Sequence, residues 1–302
     1  MIVHLGVDLL HAEWSEASVC IGTFDGVHLG HQALIRSAVA LGCEREWPSV
    51  VVTFDRHPAA ILAPDRKPPC LASVEQNLRV FERLGVAVAV VLPFDHAMSQ
   101  MSADDFLSSI LRGKLRAGHL TVGHDFAMGH GRVGTTDWLS ERIPTTVISP
   151  VEAEGHRVSS SEIRALVAAG EVDHAARLLG HPYALSGVVV GGRKLGRELG
   201  YPTLNLARSS DQVLPSDGVY AGRCHTSAGE FLAAISVGVR PTVEEEGRRL
   251  VEAYLLDYPG ASLYGQAVEL EFTSLLRSEL KFESLEELKM QIALDVERIR
   301  LH

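Results

Sequence analysis

Two histidines three residues apart, His28 and His31, lie in the run Gly22-Thr23-Phe24-Asp25-Gly26-Val27-His28-Leu29-Gly30-His31, between a β-branched stretch and a helical one. At a strand-to-helix turn the free backbone N–H groups and the helix dipole favour a phosphate. Gly22, Gly26 and Gly30 let the backbone approach a ligand closely. The spacing puts both imidazoles on one side of a helix start. Two rings facing an anion donate hydrogen bonds as charge builds at phosphorus, the electrostatic route to phosphoryl and nucleotidyl transfer. The helix terminus alone lowers histidine pKa values, a bound triphosphate raises them, and the ligand dominates once bound. The plainer alternative is a turn with two solvated histidines; strand context, the glycines and the Phe24-Asp25-Gly26 lead-in argue against it. Further along, Ser160 and Ser161 open a helix with free hydroxyls, and Arg164 can fork onto phosphate oxygens. An ordinary helix cap with a solvated arginine is the alternative there.

A second constellation begins at Gly191-Gly192-Arg193-Lys194-Leu195-Gly196-Arg197 and runs into Pro202-Thr203-Leu204-Asn205. Glycines interleaved with basic residues (Gly191, Arg193, Lys194, Gly196) suit a flap over phosphates, although a surface hairpin has the same composition. Thr203 and Asn205 offer a hydroxyl and an amide oxygen two residues apart in an extended segment, hence on one face. Hard oxygen donors of this kind suit Mg²⁺, with phosphates and water completing its octahedron. Glu252 stands in an otherwise apolar strand, where a carboxylate must be paired, hydrated or functional. A solvent-facing glutamate on an alternating strand is the alternative.

These residues need two different scaffolds. The first half alternates β-branched runs (17–23, 49–54, 86–92, 120–122, 145–148) with helical stretches (31–41, 75–84, 104–111), the pattern of a doubly wound parallel α/β sheet that binds ligands beyond the carboxyl ends of its strands. Helical residues 161–179 follow, interrupted at Gly170. From Leu185 short strands (187–190, 218–224, 231–237, 250–256, 267–272) succeed one another without crossover helices, which predicts a small antiparallel β-barrel. A last helix, 284–301, carries Leu285, Leu288, Ile292, Val296 and Ile299 on one face. The fold class expected is α/β plus all-β, with domains 1–184 and 185–302. At 302 residues, 46% of them hydrophobic, the chain has enough apolar material for two cores. A net charge of −10 argues against nucleic-acid or anionic-membrane partners. The longest apolar run, Val86 to Leu92, is far short of the ~20 residues that span a bilayer. No secretory leader is visible, and Cys20, Cys43, Cys70 and Cys224 are widely spaced, so a cytoplasmic protein with reduced thiols is expected.

The stretch GTFDGVHLGHQ resembles the HxGH motif of the bacterial bifunctional riboflavin kinase/FMN adenylyltransferases. TFDRHP (53–58), VGHDFAMGHGRVG (122–134) and VSSSEIRALVAAG (158–170) match the same family in order. Gly200 to Asn205 resembles its GxPTAN kinase motif, and SVGVRPT (236–242), VEAYLLD (251–257), LYG (263–265) and LRSELKFESLEELKMQI (276–292) follow. The resemblance implies a Rossmann-like nucleotidyltransferase domain and a riboflavin kinase barrel that together make FAD from riboflavin. It implies that His28 and His31 stabilise the transition state at the α-phosphate. Gly22, Phe24, Asp25, Gly26 and Gly30 would line the ATP site, His57 and Asp125 the nucleotide and flavin pocket. Ser160, Ser161 and Arg164 would grip pyrophosphate, Thr203 and Asn205 would hold Mg²⁺-ATP, Glu252 would be the base for the ribityl hydroxyl, and Arg277 would contact flavin. Substrates would be riboflavin, FMN and ATP, with a monomer or weak homo-oligomer. Arg56 stands where the family usually has Pro, Met128 where it has an aromatic, Ser161 for Thr, Leu204 for Ala and Tyr254 for His. Two alternatives remain open at the level of sequence: one activity retained on this fold, or a flavin-binding protein without catalysis. A pure binder would be free to lose His28, His31, Thr203, Asn205 and Glu252, and all are present.

Overall fold

The computed structural model describes residues 1–7, 12–192, 196, 199–208, 210–239, 249–260 and 262–301. They form two compact units, Met1–Pro68 with Val74–Ser160, and Pro69–Ser73 with Ser161–His302.

In the first unit six strands, β1 (Ile2–Leu5), β2 (Ala17–Ile21), β3 (Ser49–Phe54), β4 (Val88–Leu92), β5 (Ala117–Gly123) and β6 (Thr145–Ile148), build one sheet in the order β1-β4-β3-β2-β5-β6. Every pairing is parallel. β2 and β4 are buried along their whole length, as expected of strands covered on both faces. On one face Val19, Val50, Val90 and Leu120 pack with Phe106 and Leu111. On the other, Cys20, Val51 and Ala89 meet Ile35 and Phe81 from helices α1 (Leu29–Arg45) and α2 (Val74–Arg83). The chain reverses direction across the sheet at β2, flanked by β3 and β5, and this switch point opens a crevice at the carboxyl ends. A nine-residue π-helical stretch, Phe106–Lys114, supplies the Phe106 side chain at that end of the core.

The second unit contains helices α3 (Ser160–Ala169) and α4 (Val172–Leu179), broken at Gly170 (φ +86°). Its barrel has six antiparallel strands: β7 (Tyr183–Val190), β8 (Thr203–Arg208), β9 (Gly218–Thr226), β10 (Gly229–Val239), β11 (Arg249–Leu255) and β12 (Ala267–Ser278). They close in the order β7-β8-β11-β10-β9-β12. Strand residues alternate in and out, so Val251, Ala253 and Leu255 fill the barrel while Glu252 and Tyr254 face outward. The final helix α5 (Leu285–Leu301) lies on the outside, where Val296 and Ile299 meet Leu232, Ala234, Tyr254 and Leu276. Leu285, placed on the same stripe by periodicity, is exposed because the helix begins clear of that cluster. Among the elements not expected from the pattern are β1, an edge strand of only four residues, and β8, whose run Thr-Leu-Asn-Leu-Ala-Arg lacks β-branched side chains after its first residue.

Candidate functional site

In the first unit a cavity of about 780 Å³ opens over the carboxyl ends of β2, β3, β5 and β6. Gly22, Phe24, His28, Gly30, His31, Asp125 and Ser160 all line it, so seven of the sequence-predicted residues come together. His28 caps α1: its Nδ1 accepts a hydrogen bond from the His31 N–H at 3.3 Å. The two imidazoles then stack, centroids 3.6 Å apart and planes within 16°. Gly30 makes this possible, because a Cβ there would stand 3.1 Å from His28 Cε1. The loop is tightly braced. Gln32 Nε2 donates to the Val27 carbonyl at 3.0 Å, Thr53 Oγ1 to the Thr23 carbonyl at 3.2 Å, and Ser160 Oγ to the Asp25 carbonyl at 3.3 Å. Phe24 (φ +47°) and Val27 (φ +42°) are fully buried in left-handed conformations that non-glycine, and above all β-branched, residues rarely adopt.

His31 is packed edge-on by Phe24, and its Nδ1 is buried without a hydrogen-bond partner. Its pKa is held well below 6.5, first by burial and second by the facing His28. The direction matches expectation, but the larger cause is desolvation rather than the helix terminus. In the ligand-free site His31 is therefore neutral near pH 7, with an unsatisfied ring atom that an incoming anion or proton donor would relieve.

The remaining predicted residues of this half sit differently. Asp25 and Gly26 form the turn behind the histidines rather than the cavity wall. His57 does not line the cavity; its Nδ1 accepts from the Ala59 N–H at 3.1 Å and caps a short turn, while its neighbour Pro58 faces the cavity. Ser161 and Arg164 belong to the second unit, where Arg164 Nε donates to the Pro69 carbonyl at 2.8 Å. Sequence reading missed Arg157, which lines the cavity and reaches Asp125 Oδ2 at 3.3 Å and His124 Nε2 at 3.0 Å. The only sequence signal was a cation two residues before the serine run. It missed also the apolar wall made by Phe54, Phe94, Met98, Met101 and Phe106, drawn from four segments that sequence spacing does not connect.

In the second unit, β8 and β11 pair so that Asn205 lies opposite Glu252 and Thr203 opposite Tyr254, all on the barrel's outer face. Thr203 Oγ1 donates to Glu252 Oε2 at 3.3 Å. Tyr201 and Tyr254 meet edge to face at 5.3 Å, and burial followed by the neighbouring Tyr201 and Asp257 raises the Tyr254 pKa. Gly192 presses on the Asn205 amide, with a Cβ position only 2.3 Å from Nδ2. Gly191 follows the end of β7 in open space, and Gly196 accepts from the Tyr201 N–H at 2.7 Å. Arg193 and Lys194 lie outside the described residues. Arg277 is bound by the nearly fully buried carboxylate of Asp295 from α5, with Nε at 3.0 Å and Nη2 at 2.9 Å from Oδ2. Among the described residues no three His, Cys, Asp or Glu side chains are grouped to hold a metal, and no helix is long and apolar enough to cross a membrane.

Comparison with known proteins bears on both units. A model of the FAD synthetase family matches residues 10–162, and one of riboflavin kinase matches residues 179–302. A bifunctional riboflavin kinase/FMN adenylyltransferase of Pseudomonas fluorescens is 36% identical over 98% of this chain and 96% of its own. One of Listeria monocytogenes is 32% identical over 95% of this chain and 93% of its own. A solved structure from Streptococcus pneumoniae, described as a macrolide-efflux protein, superposes with a TM-score of 0.88 at 29% identity, covering 99% of each chain.

Proposed function

The chain belongs to the family of bifunctional riboflavin kinase/FMN adenylyltransferases and makes FAD from riboflavin by way of FMN, and from that premise we propose how its residues divide the work. Adenylyl transfer takes place in the cavity of the first unit. His28 and His31 face the triphosphate of ATP, and their ring N–H groups stabilise charge developing at the α-phosphorus as the FMN phosphate attacks and pyrophosphate leaves. No covalent enzyme intermediate is required, only positioning and charge stabilisation. The observation that carries this reading is the stacked, largely desolvated histidine pair at the switch point of a parallel sheet, in a cavity whose far wall is aromatic and thioether. The flavin ring takes that apolar wall, and Arg157 with Asp125 borders the phosphates. Asp25 and Gly26 shape the turn, and His57 acts through its cap on the segment that carries Pro58. Ser160, on the cavity's lining, remains the candidate for the pyrophosphate grip by resemblance.

Riboflavin phosphorylation takes place on the outer face of the barrel. Glu252 takes the proton from the terminal ribityl hydroxyl. Thr203 and Asn205 supply two oxygen donors, too few for a protein-only cage and suited to an ion that arrives with phosphates, so they fit Mg²⁺ bound with ATP. That ion would neutralise charge on the transferring phosphoryl group. Arg277 supports the flavin-side wall through its pair with Asp295. The adenylyltransferase domain is assigned to 1–184 and the kinase to 185–302, in a cytoplasmic monomer or weak homo-oligomer that binds neither nucleic acid nor membrane. Titrating riboflavin kinase activity with Mg²⁺ in N205A and T203V tests the metal assignment. The half-saturating Mg²⁺ concentration should rise by about tenfold or more, the order of one lost ligand contact, and an unchanged Mg²⁺ dependence would refute it.

A further inference from the structure

Three of the chain's five methionines, Met98, Met101 and Met128, line this cavity of the first unit, beside Phe54 and Phe106. A thioether side chain has no branch and three rotatable bonds, so it fills irregular gaps and re-forms around differently shaped partners. Met128 is fixed at its root. It pairs with Gly134 in a two-residue ribbon, and a Cβ on Gly134 would stand 2.8 Å from Met128 Cγ and 3.0 Å from Ala103 Cβ. The next residue, Gly129 (φ +74°), lies so close to Ala103 that a Cβ would meet its backbone N at 2.4 Å. The ribbon is therefore pinned, and what can still move at Met128 is the chain beyond Cγ. Met98 and Met101 pack on the same core cluster, and both are only half buried.

We propose that Met128, backed by Met98 and Met101, sets the ring selectivity of adenylyl transfer, giving a yielding wall that admits FMN analogues whose benzenoid edge carries substituents larger than methyl. This rests on the assignment of the flavin ring to the cavity. A rigid apolar pocket discriminates against one added methylene by roughly 10–200-fold, whereas a wall of unbranched side chains absorbs it by rotation.

The experiment compares kcat/KM for adenylyl transfer to FMN and to an FMN with one ring methyl replaced by ethyl. Both are supplied directly with ATP to wild type, M128L and L62W, and the fluorescence of Trp14, Trp47 and Trp138, all in the first unit, reports the folding of each preparation. Leu for Met is the swap that cores tolerate best, and its branch removes the freedom at issue. Wild type should favour FMN by less than about fivefold, and M128L should raise that preference by about tenfold, the lower end of the rigid-pocket range. L62W narrows the exposed rim of the same cavity and should raise the KM for FMN. If L62W raises KM while M128L leaves the preference unchanged, the selectivity role is overturned and the cavity assignment stands. If L62W leaves FMN turnover untouched, the cavity assignment falls and the selectivity role with it.

Discussion

At the histidine loop the chemistry-bearing groups are withdrawn from water and their backbone is strained, whereas at the barrel the corresponding groups stand on the outer face of two regularly paired strands. His28 is 7% exposed, and Phe24 and Val27 beneath it hold positive φ. Thr203 is exposed, and Glu252 is set against it by strand register and one 3.3 Å hydrogen bond. The first arrangement pre-forms a polar site inside low dielectric, where each donor is worth most. The second relies on the period-two geometry of a sheet to bring a carboxylate, a hydroxyl and an amide to one patch. Buried preorganisation and displayed register are thus two ways of assembling polar groups within one chain, and they fail differently.

The sharpest break is a double dissociation. His31→Ala should reduce FAD formation from supplied FMN by about 10²–10³-fold, the size of a lost transition-state donor, while FMN still accumulates from riboflavin. Glu252→Gln should do the reverse, reducing phosphorylation by about 10²–10⁴-fold, the usual contribution of a general base. Product chromatography separates the two, and either substitution stopping both FMN formation from riboflavin and FAD formation from supplied FMN would end the idea of separate chemistries.

A smaller effect distinguishes the two constructions through their glycines. Gly192→Ala drives a methyl to 2.3 Å from the Asn205 amide nitrogen. Overpacking of that kind costs about 1–3 kcal/mol, so kinase kcat/KM should fall by about tenfold or more. Gly30→Ala meets only the edge of the His28 ring at 3.1 Å, on a helix that otherwise prefers Ala. Adenylyl transfer should fall by no more than about fivefold, since a ring can give by a few tenths of an ångström. Steady-state kinetics on both variants would reverse the comparison if the order of the losses were inverted.

The same contrast explains what was legible in the sequence. The parallel sheet was readable because its strands are short runs rich in β-branched residues: Ser49–Phe54 and Thr145–Ile148 appear with the expected bounds. The HxGH turn was readable because its chemistry, strand and helix are contiguous. Thr203 and Asn205 were legible as a same-face pair even though β8 itself was not, since Leu204 and Leu206 carry the inward alternation without β-branched side chains. What stayed hidden depends on tertiary convergence. Arg157, Met98 and Phe94 reach one cavity from a short strand, a short helix and the turn before it, and no local period marks that meeting. His57 shows the converse, a residue carried by a motif whose ring the fold turns to a backbone cap.

The mildest effect follows from burial at the first site. Burial, aided by the facing His28, holds the His31 pKa well below 6.5, so the unfolded chain takes up a proton near pH 6.5 that the folded chain refuses. Stability from this group is therefore complete above that pH and lost as pH falls below it toward the folded value, with a slope of at most about 1.4 kcal/mol per pH unit. All three tryptophans, Trp14, Trp47 and Trp138, lie in the first unit, so their fluorescence follows its unfolding selectively. Denaturant titrations at pH 7.5, 6.5 and 5.5 should show the midpoint falling across the lower interval in the ligand-free protein, and falling less in His31→Gln. A variant that keeps the full wild-type slope would place the proton uptake elsewhere and remove desolvated histidine as what separates the loop from the barrel.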